Sequence, residues 1–303
     1  MLPTLRQLHY LKLLVEHGSF SRAAEAAHVT QPTISAGINE LEKILGANVV
    51  DRGRSGLILT PVGREVARRA EEILAQVDDL VQAAGRSGRP LVGTFRLGVI
   101  PTIAPFLLPQ VLPRLRRRYP QLRLVLREDL TTRLVAMLKA GTIDAALIAL
   151  PANITGLDHA EVSSDELVAA VPAGHRLAEM TRIPQGAMDG ENLILLEDGH
   201  CLREHALSAC GLQAAPQADD AETTVATTSL HTTLQMVGWG LGITLLPGMA
   251  VEAGLTRLAP VVVRPLEHAP CRKVVVVWRA GSSREVEGRL LAETLRTPEP
   301  AVA

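Results

Sequence analysis

Cysteine is scarce in this 303-residue chain: there are three, Cys201, Cys210 and Cys271. Three thiols are too few for a disulfide scaffold, and their spacing fits no zinc-binding pattern. No cofactor and no metal are expected. Net charge is equally slight, at −1. No whole-chain field draws the protein to nucleic acid, so any contact with DNA has to be local. No uninterrupted apolar run is long enough to span a membrane, and Met1-Leu2-Pro3-Thr4-Leu5-Arg6 lacks the layout of a signal peptide. The expected setting is a reducing cytoplasm with no membrane contact. There a cysteine pair is more often catalytic or sensory than structural. A hydrophobic content of 47% excludes a disordered chain, and the length accommodates two or three domains.

Two of the three cysteines bracket a segment that reads as a helix. From Leu202 onward, Leu, Arg, Glu and Ala dominate, with no Gly or Pro before Gly211. Nine helical steps from Cys201 to Cys210 would hold their α-carbons roughly 14 Å apart, at about 1.5 Å per residue. A disulfide tolerates at most about 7 Å. Either the two thiols never bond, or bonding them unwinds the helix. Cys210 on an Ala/Leu face also fits an inert buried thiol, and Cys271 fits plain strand packing.

The first ninety residues read as short helices at tight turns. Leu5, Leu8, Leu11, Leu14 and Val15 give one apolar face at helical spacing. After His17-Gly18-Ser19, Ser19 or Ser21 can cap a helix carrying Ala23, Ala24, Ala26 and Ala27. Thr30 is an expected N-cap for the next helix, and Pro32 suits its first turn. Ile34, Ile38, Leu41 and Leu45 point inward; Gln31, Thr33, Ser35 and Asn39 fall on the opposite face. This is the pattern of a helix-turn-helix, whose second helix enters the major groove. Gln and Asn suit adenine, and Thr a base or a phosphate. Asp51-Arg52-Gly53-Arg54-Ser55-Gly56 followed by Leu57-Ile58-Leu59-Thr60 reads as a wing with a basic tip. The expected DNA contacts are Gln31, Pro32, Thr33, Ser35, Asn39, Arg52 and Arg54.

These residues carry a resemblance. Ser19-Phe20, Ala23-Ala24, Gln31-Pro32-Thr33-Ile34-Ser35, Leu41-Glu42, Leu45-Gly46, Asp51-Arg52 and Thr60-Pro61-Val62-Gly63 stand in register with the winged helix-turn-helix of LysR-type transcriptional regulators. Ala36, Gly37 and Asn39 depart from it, where family members often carry Arg or Gln.

From Thr60-Pro61 a helical pattern runs to about Ala84. Val66, Ala70, Ile73, Val77, Leu80 and Ala84 recur at heptad spacing, which predicts helix pairing and a homodimer. Gly85-Arg86-Ser87-Gly88-Arg89-Pro90 reads as a hinge. Beyond it, strands alternate with helices: strands at 94–100, 122–127, 144–150, 193–196, 243–247 and 273–278; helices at 106–118, 131–140, 229–237 and 283–295. This βαβ alternation predicts a parallel sheet covered by helices, in two α/β lobes with a ligand cleft between them.

The expected fold is therefore an N-terminal all-α winged helix-turn-helix with a long dimerisation helix. A C-terminal α/β two-lobed regulatory domain follows, resembling the periplasmic-binding-protein-like domain of LysR-type proteins. The boundaries are 1–60 for the DNA-binding domain, 61–84 for the dimerisation helix, 85–91 for the hinge and 92–303 for the regulatory domain. Its lobes are expected at roughly 92–164 with 268–303, and 165–267.

Within the family, Leu195-Leu196-Glu197-Asp198-Gly199-His200-Cys201-Leu202-Arg203, with Cys210 beyond, resembles the OxyR-type hydrogen-peroxide sensors. That resemblance implies a peroxidatic Cys201 and a resolving Cys210, and extends to Pro101-Thr102, Glu128, Thr131 and Arg272. The implied peroxide pocket is Thr102, Thr131, His200, Arg272 and Glu204; at Glu204 such sensors often carry Asp. The chemistry suits these residue types. A thiolate is the nucleophile, so the Cys201 pKa is expected to fall below that of a free thiol, with His200, Arg203 and Arg272 as local cations. Attack on peroxide gives a sulfenic acid, which a second thiol converts to a disulfide.

The implied function is redox-regulated transcription, as an activator, with promoter DNA and hydrogen peroxide as partners. Contact with RNA polymerase and dimers paired into a tetramer are expected as well. The alternative is a LysR-type regulator responding to a small metabolite in the inter-lobe cleft. A solute-binding receptor has no place for the DNA-reading head. The winged helix and dimer helix argue for signalling over turnover by a thiol peroxidase, so no enzyme is expected.

Overall fold

A computed structural model describes residues 2–53, 56–85, 90–184, 186–209 and 226–296. The chain divides near residue 87 into two compact units.

The N-terminal unit comprises α1 (Leu5–His17), α2 (Phe20–Ala26), α3 (Gln31–Leu45), β1 (Val50–Gly53), β2 (Gly56–Leu59) and α4 (Pro61–Gly85). Thr4 opens α1 through a reciprocal capping box: its Oγ1 accepts from the Gln7 amide at 3.3 Å, and Gln7 Oε1 accepts from the Thr4 amide at 2.8 Å. Ser19 caps α2 by accepting from the Arg22 amide. Thr30 holds the N-cap position of α3, but its hydroxyl bonds the Thr33 hydroxyl and caps no backbone N–H. Leu11, Leu14, Ala23, Ile34, Ile38 and Leu41 form the core. Leu45, expected to point inward, is the last residue of α3 and is 38% exposed. Gly37 is a packing position: a Cβ there would lie 2.7 Å from the Tyr10 ring. β1 and β2 form the antiparallel wing.

The seam expected on α4 is split. Ala67 and Ala70 are buried and Val66 packs on the unit's own core. Ile73 and Leu80 are exposed. The first part of the stripe is used inside the unit, and only the later part is left for another surface.

The C-terminal unit runs β3 (Gly93–Val99), α5 (Ala104–Arg118), β4 (Leu122–Glu128), α6 (Thr131–Lys139), β5 (Ala145–Leu150), β6 (Leu157–Pro172), β7 (Leu195–Leu196), α7 (Cys201–Ala209), β8 (Ala226–Thr227), α8 (Leu230–Gly238), β9 (Thr244–Pro247), α9 (Gly248–Glu252), β10 (Val261–Pro265), β11 (Cys271–Arg279) and α10 (Glu285–Arg296). The main sheet has the order β10-β6-β11-β5-β3-β4, with β9 also paired to β6. β3 is parallel to β4 and β5, but β11 is antiparallel to both β5 and β6. The expected parallel sheet is therefore a mixed one. β11 brings the chain back from the second lobe, so it runs opposite to the strands it rejoins.

β6 runs from Leu157 to Pro172, a stretch for which the sequence reading gave no strand. Its first part pairs with β11, and its last residues pair with β10 and β9. Two cores flank this change of partners. One gathers Phe95, Leu97, Leu134, Ile148, Val275, Trp278 and Leu291. The other gathers Leu167, Val171, Leu195, Leu202, Ala206, Leu234 and Leu246, and takes in Phe106 from α5. Ser229 precedes α8 at its N-cap position without a side-chain cap bond. Among the described residues, no helix is long and apolar enough to cross a membrane.

Candidate functional site

Two helix starts converge on one thiol. α6 begins at Thr131 and α7 at Cys201. Thr131 Oγ1 lies 2.9 Å from Cys201 Sγ, a hydrogen bond in which the hydroxyl donates once the sulfur is ionised. Gly199 permits the approach. It adopts φ +94°, a left-handed conformation suited to glycine, and a Cβ there would meet Leu130 Cδ1 at 3.1 Å. The turn that carries Cys201 is thus pressed against the residue preceding Thr131.

A buried ion pair completes the site. Arg272 on β11 and Asp165 on β6 are cross-strand partners, with side chains only 1% and 4% exposed. Arg272 Nε and Nη2 reach Asp165 Oδ2 at 2.9 and 2.8 Å. Nη1 donates to Thr102 Oγ1 at 2.9 Å, and Nη2 to the Thr102 carbonyl at 3.1 Å. Asp165 Oδ1 accepts from the Met249 amide at 2.9 Å. One guanidinium therefore joins the turn after β3 to two central strands, and its charge reaches Cys201.

The electrostatics correct two expectations. Burial pushes the Cys201 thiol up from its ordinary value, while the Thr131 hydrogen bond and the more distant Arg272 charge pull it down. The exposed Glu204 carboxylate pushes it up as well. The resting thiol is thus harder to ionise than a free one, because lost hydration outweighs the donors. The set of cations also shrinks. His200 is buried, which holds its pKa below the ordinary imidazole value and leaves it neutral at neutral pH. Arg203 is taken up by Asp198, at 2.9 Å, and by the Leu196 carbonyl. Arg272 remains as the cation acting on the thiol. Cys271, expected in strand packing, is exposed, its Sγ 3.9 Å from the Arg272 carbonyl. Cys201 is a free thiol, and Cys210 lies outside the described residues.

On α3, Gln31, Pro32, Thr33 and Asn39 are exposed and Ser35 is half-buried, so all five lie along the outward side of one helix. Arg52 belongs to β1, and Arg54 lies outside the described residues. Residues 5–64 match the bacterial regulatory helix-turn-helix protein, lysR family, and residues 88–297 match the LysR substrate binding domain. This chain belongs to the LysR family. It is a DNA-binding regulator of transcription.

This LysR-family protein is similar to a probable hydrogen peroxide-inducible genes activator of Streptomyces viridosporus, with 38% identity over 97% of this chain and 94% of that protein. It is also similar to the HTH-type transcriptional regulator EstR of Acinetobacter baylyi, 36% identical over 97% of each. Among solved structures, a full-length OxyR variant from Pseudomonas aeruginosa matches with a TM-score of 0.75 at 32% identity. That match covers 98% of this chain and 99% of the other.

Two site residues of this LysR-family chain escaped the sequence reading. Asp165 is the counter-ion of Arg272. The signal for it was Arg272 itself, since a guanidinium in an apolar strand demands a carboxylate. His205 is buried one helical turn after Cys201, its Nε2 3.4 Å from the Pro151 carbonyl. Its i+4 spacing from the cysteine was the available clue.

Proposed function

We propose that this LysR-family regulator senses hydrogen peroxide through Cys201. The observation that carries the reading is a partly buried thiol at a helix start, hydrogen-bonded by Thr131 and facing the Arg272 charge. Relatives named as hydrogen peroxide-inducible genes activators support it. Peroxide oxidises Cys201 to a sulfenic acid, losing water, and the Cys210 thiol displaces the hydroxyl to form a disulfide. The eight residues between the two cysteines then close on a bond that helical geometry forbids, so α7 unwinds. A thiol–disulfide couple supplies about 1.4 kcal/mol for every 30 mV, enough to tip a balanced conformational equilibrium. The altered domain shifts the spacing of the DNA-reading heads in a homodimer, paired into a tetramer, and changes promoter binding and contact with RNA polymerase. The protein acts in the cytoplasm as an activator and performs no turnover. Gln31, Thr33, Ser35 and Asn39 read bases, and Arg52 and Arg54 track the backbone.

The test is thiol mass spectrometry on reduced protein treated with near-stoichiometric peroxide, wild type beside Cys201→Ser. A 201–210 bond in the wild type alone is the expected result. Its absence gives the protein to a second reading, a small metabolite bound between the lobes, which the match of residues 88–297 to the LysR substrate binding domain favours. Footprinting in both redox states tests the switch, which identical protection at every position would rule out.

A further inference from the structure

His205 presents a buried imidazole with one nitrogen committed and the other open. Its Nε2 faces the Pro151 carbonyl at 3.4 Å. A carbonyl only accepts, so Nε2 carries the proton and Nδ1 keeps its lone pair. Nδ1 is buried and finds no hydrogen-bond partner among the described residues. A native protein rarely leaves such an atom unused without a chemical reason.

The neighbourhood supplies one. His205 follows Cys201 by four residues on α7, so the two side chains share one face of the helix. Both feel the same two charges, Arg272 from β11 and Glu204 from α7 itself. Behind Arg272 stands Asp165 from β6, already paired to it. The Cys201 thiol is meanwhile held protonated by burial. A protonated thiol needs a base before it can attack, and a neutral imidazole is the side chain suited to that role near neutral pH.

We propose that His205 Nδ1 is the proton acceptor for the Cys201 thiol, through one bridging water, during its reaction with an electrophilic peroxide. The S–H proton passes to that water, and one of the water's protons passes to Nδ1, as the sulfur attacks the nearer peroxide oxygen. The S–O bond forms and the O–O bond breaks. The departing hydroxide takes a proton back from Nδ1 and leaves as water. Sulfur is oxidised by two electrons and the peroxide is reduced by two, and His205 ends as it began. Thr131 steadies the thiolate, and Arg272 supplies the field. The buried imidazole has its pKa held low by desolvation, so it stays neutral and competent across the neutral range.

This inference rests on the peroxide-sensing reading, and its test separates the two. Rates of Cys201 oxidation by hydrogen peroxide, and of its alkylation by iodoacetamide, are measured by peptide mass spectrometry from pH 5 to 10. Wild type is compared with His205→Gln, which keeps an amide of similar reach but cannot take a proton. We expect oxidation of the variant to be about 100-fold slower at pH 7, the lower end of general-base effects. The variant's rate should climb tenfold per pH unit, while that of the wild type stays nearly flat. The two should converge where the thiol ionises unaided, a rescue by pH that a merely structural role would not give. Parallel profiles at every pH would overturn the proposal. If peroxide leaves wild-type Cys201 untouched, the sensing reading fails, and the iodoacetamide profiles alone decide the role of His205. If His205→Gln does not fold, the wild-type profile decides. An inflection below pH 6.5 supports the assignment, and a single tenfold-per-unit rise throughout defeats it.

Discussion

Thr131→Val tests the thiol site with one atom. Valine keeps the shape and the branched carbon but loses the hydroxyl 2.9 Å from Cys201 Sγ. The site is partly buried, and Thr131 is 5% exposed, so water does not readily replace the lost donor. A hydrogen bond to a charged group is worth about 1.5–3 kcal/mol. At about 1.4 kcal/mol per factor of ten, the thiolate population and the rate of attack fall by about 10- to 150-fold at neutral pH. The assay is iodoacetamide labelling of reduced protein, with Cys201 followed by peptide mass spectrometry so that Cys210 and Cys271 do not contribute. Thr131→Ser restores the donor and should stay within about threefold of wild type. A Thr131→Val protein that labels as fast as wild type would refute the argument that this hydroxyl holds the thiolate.

Other expectations concern stability and assembly. Asp165→Ala leaves Arg272 buried without its counter-ion, at a cost of about 3–5 kcal/mol; calorimetry of the full chain should show the regulatory-domain transition lowered by about 6–20 °C. Acid should destabilise the same domain. His200 and His205 have pKa values held below the ordinary 6.5, so below that pH the unfolded chain binds more protons than the folded one. The contribution is full above pH 6.5 and is lost as pH falls through the depressed values. Melting temperatures at pH 7.5 and 5.5 check this, and His200→Gln with His205→Gln should flatten the difference. Leu80→Asp places a charge on the exposed later part of the α4 stripe, at a side chain 71% exposed. If that stripe pairs two chains, analytical ultracentrifugation should show a shift towards monomer with unchanged helix content by circular dichroism.

Legibility differed by the range over which each feature is determined. The helix starts at Thr131 and Cys201 follow from local composition, and the strands near 94–100, 122–127 and 144–150 follow from runs of branched and small residues. Asp165 did not, because its meaning depends on a partner 107 residues away that only the β6–β11 register reveals. The antiparallel course of β11 was hidden for the same reason: alternation of elements does not say which way a returning strand runs. The Cys201 thiol was misread because residue types advertise cations while hydration is a property of the folded interior. His200 and Arg203 are cationic types on paper, yet one is desolvated and the other is spent on Asp198. On α4, apolar spacing alone did not distinguish a stripe facing a partner from one facing the unit's own core.

The sixteen residues of β6 carry a consequence for how this regulatory domain can be cut or rebuilt. One continuous strand supplies an edge to each of the two cores, with Asp165 placed where the partners change. The lobes are therefore not interchangeable modules. Expressing either one alone would leave half a strand without its hydrogen-bonding neighbours and Arg272 or Asp165 without its mate. Chimeras that exchange sensing properties between relatives should keep β6 and β11 from a single parent and place their junctions in the loops on either side.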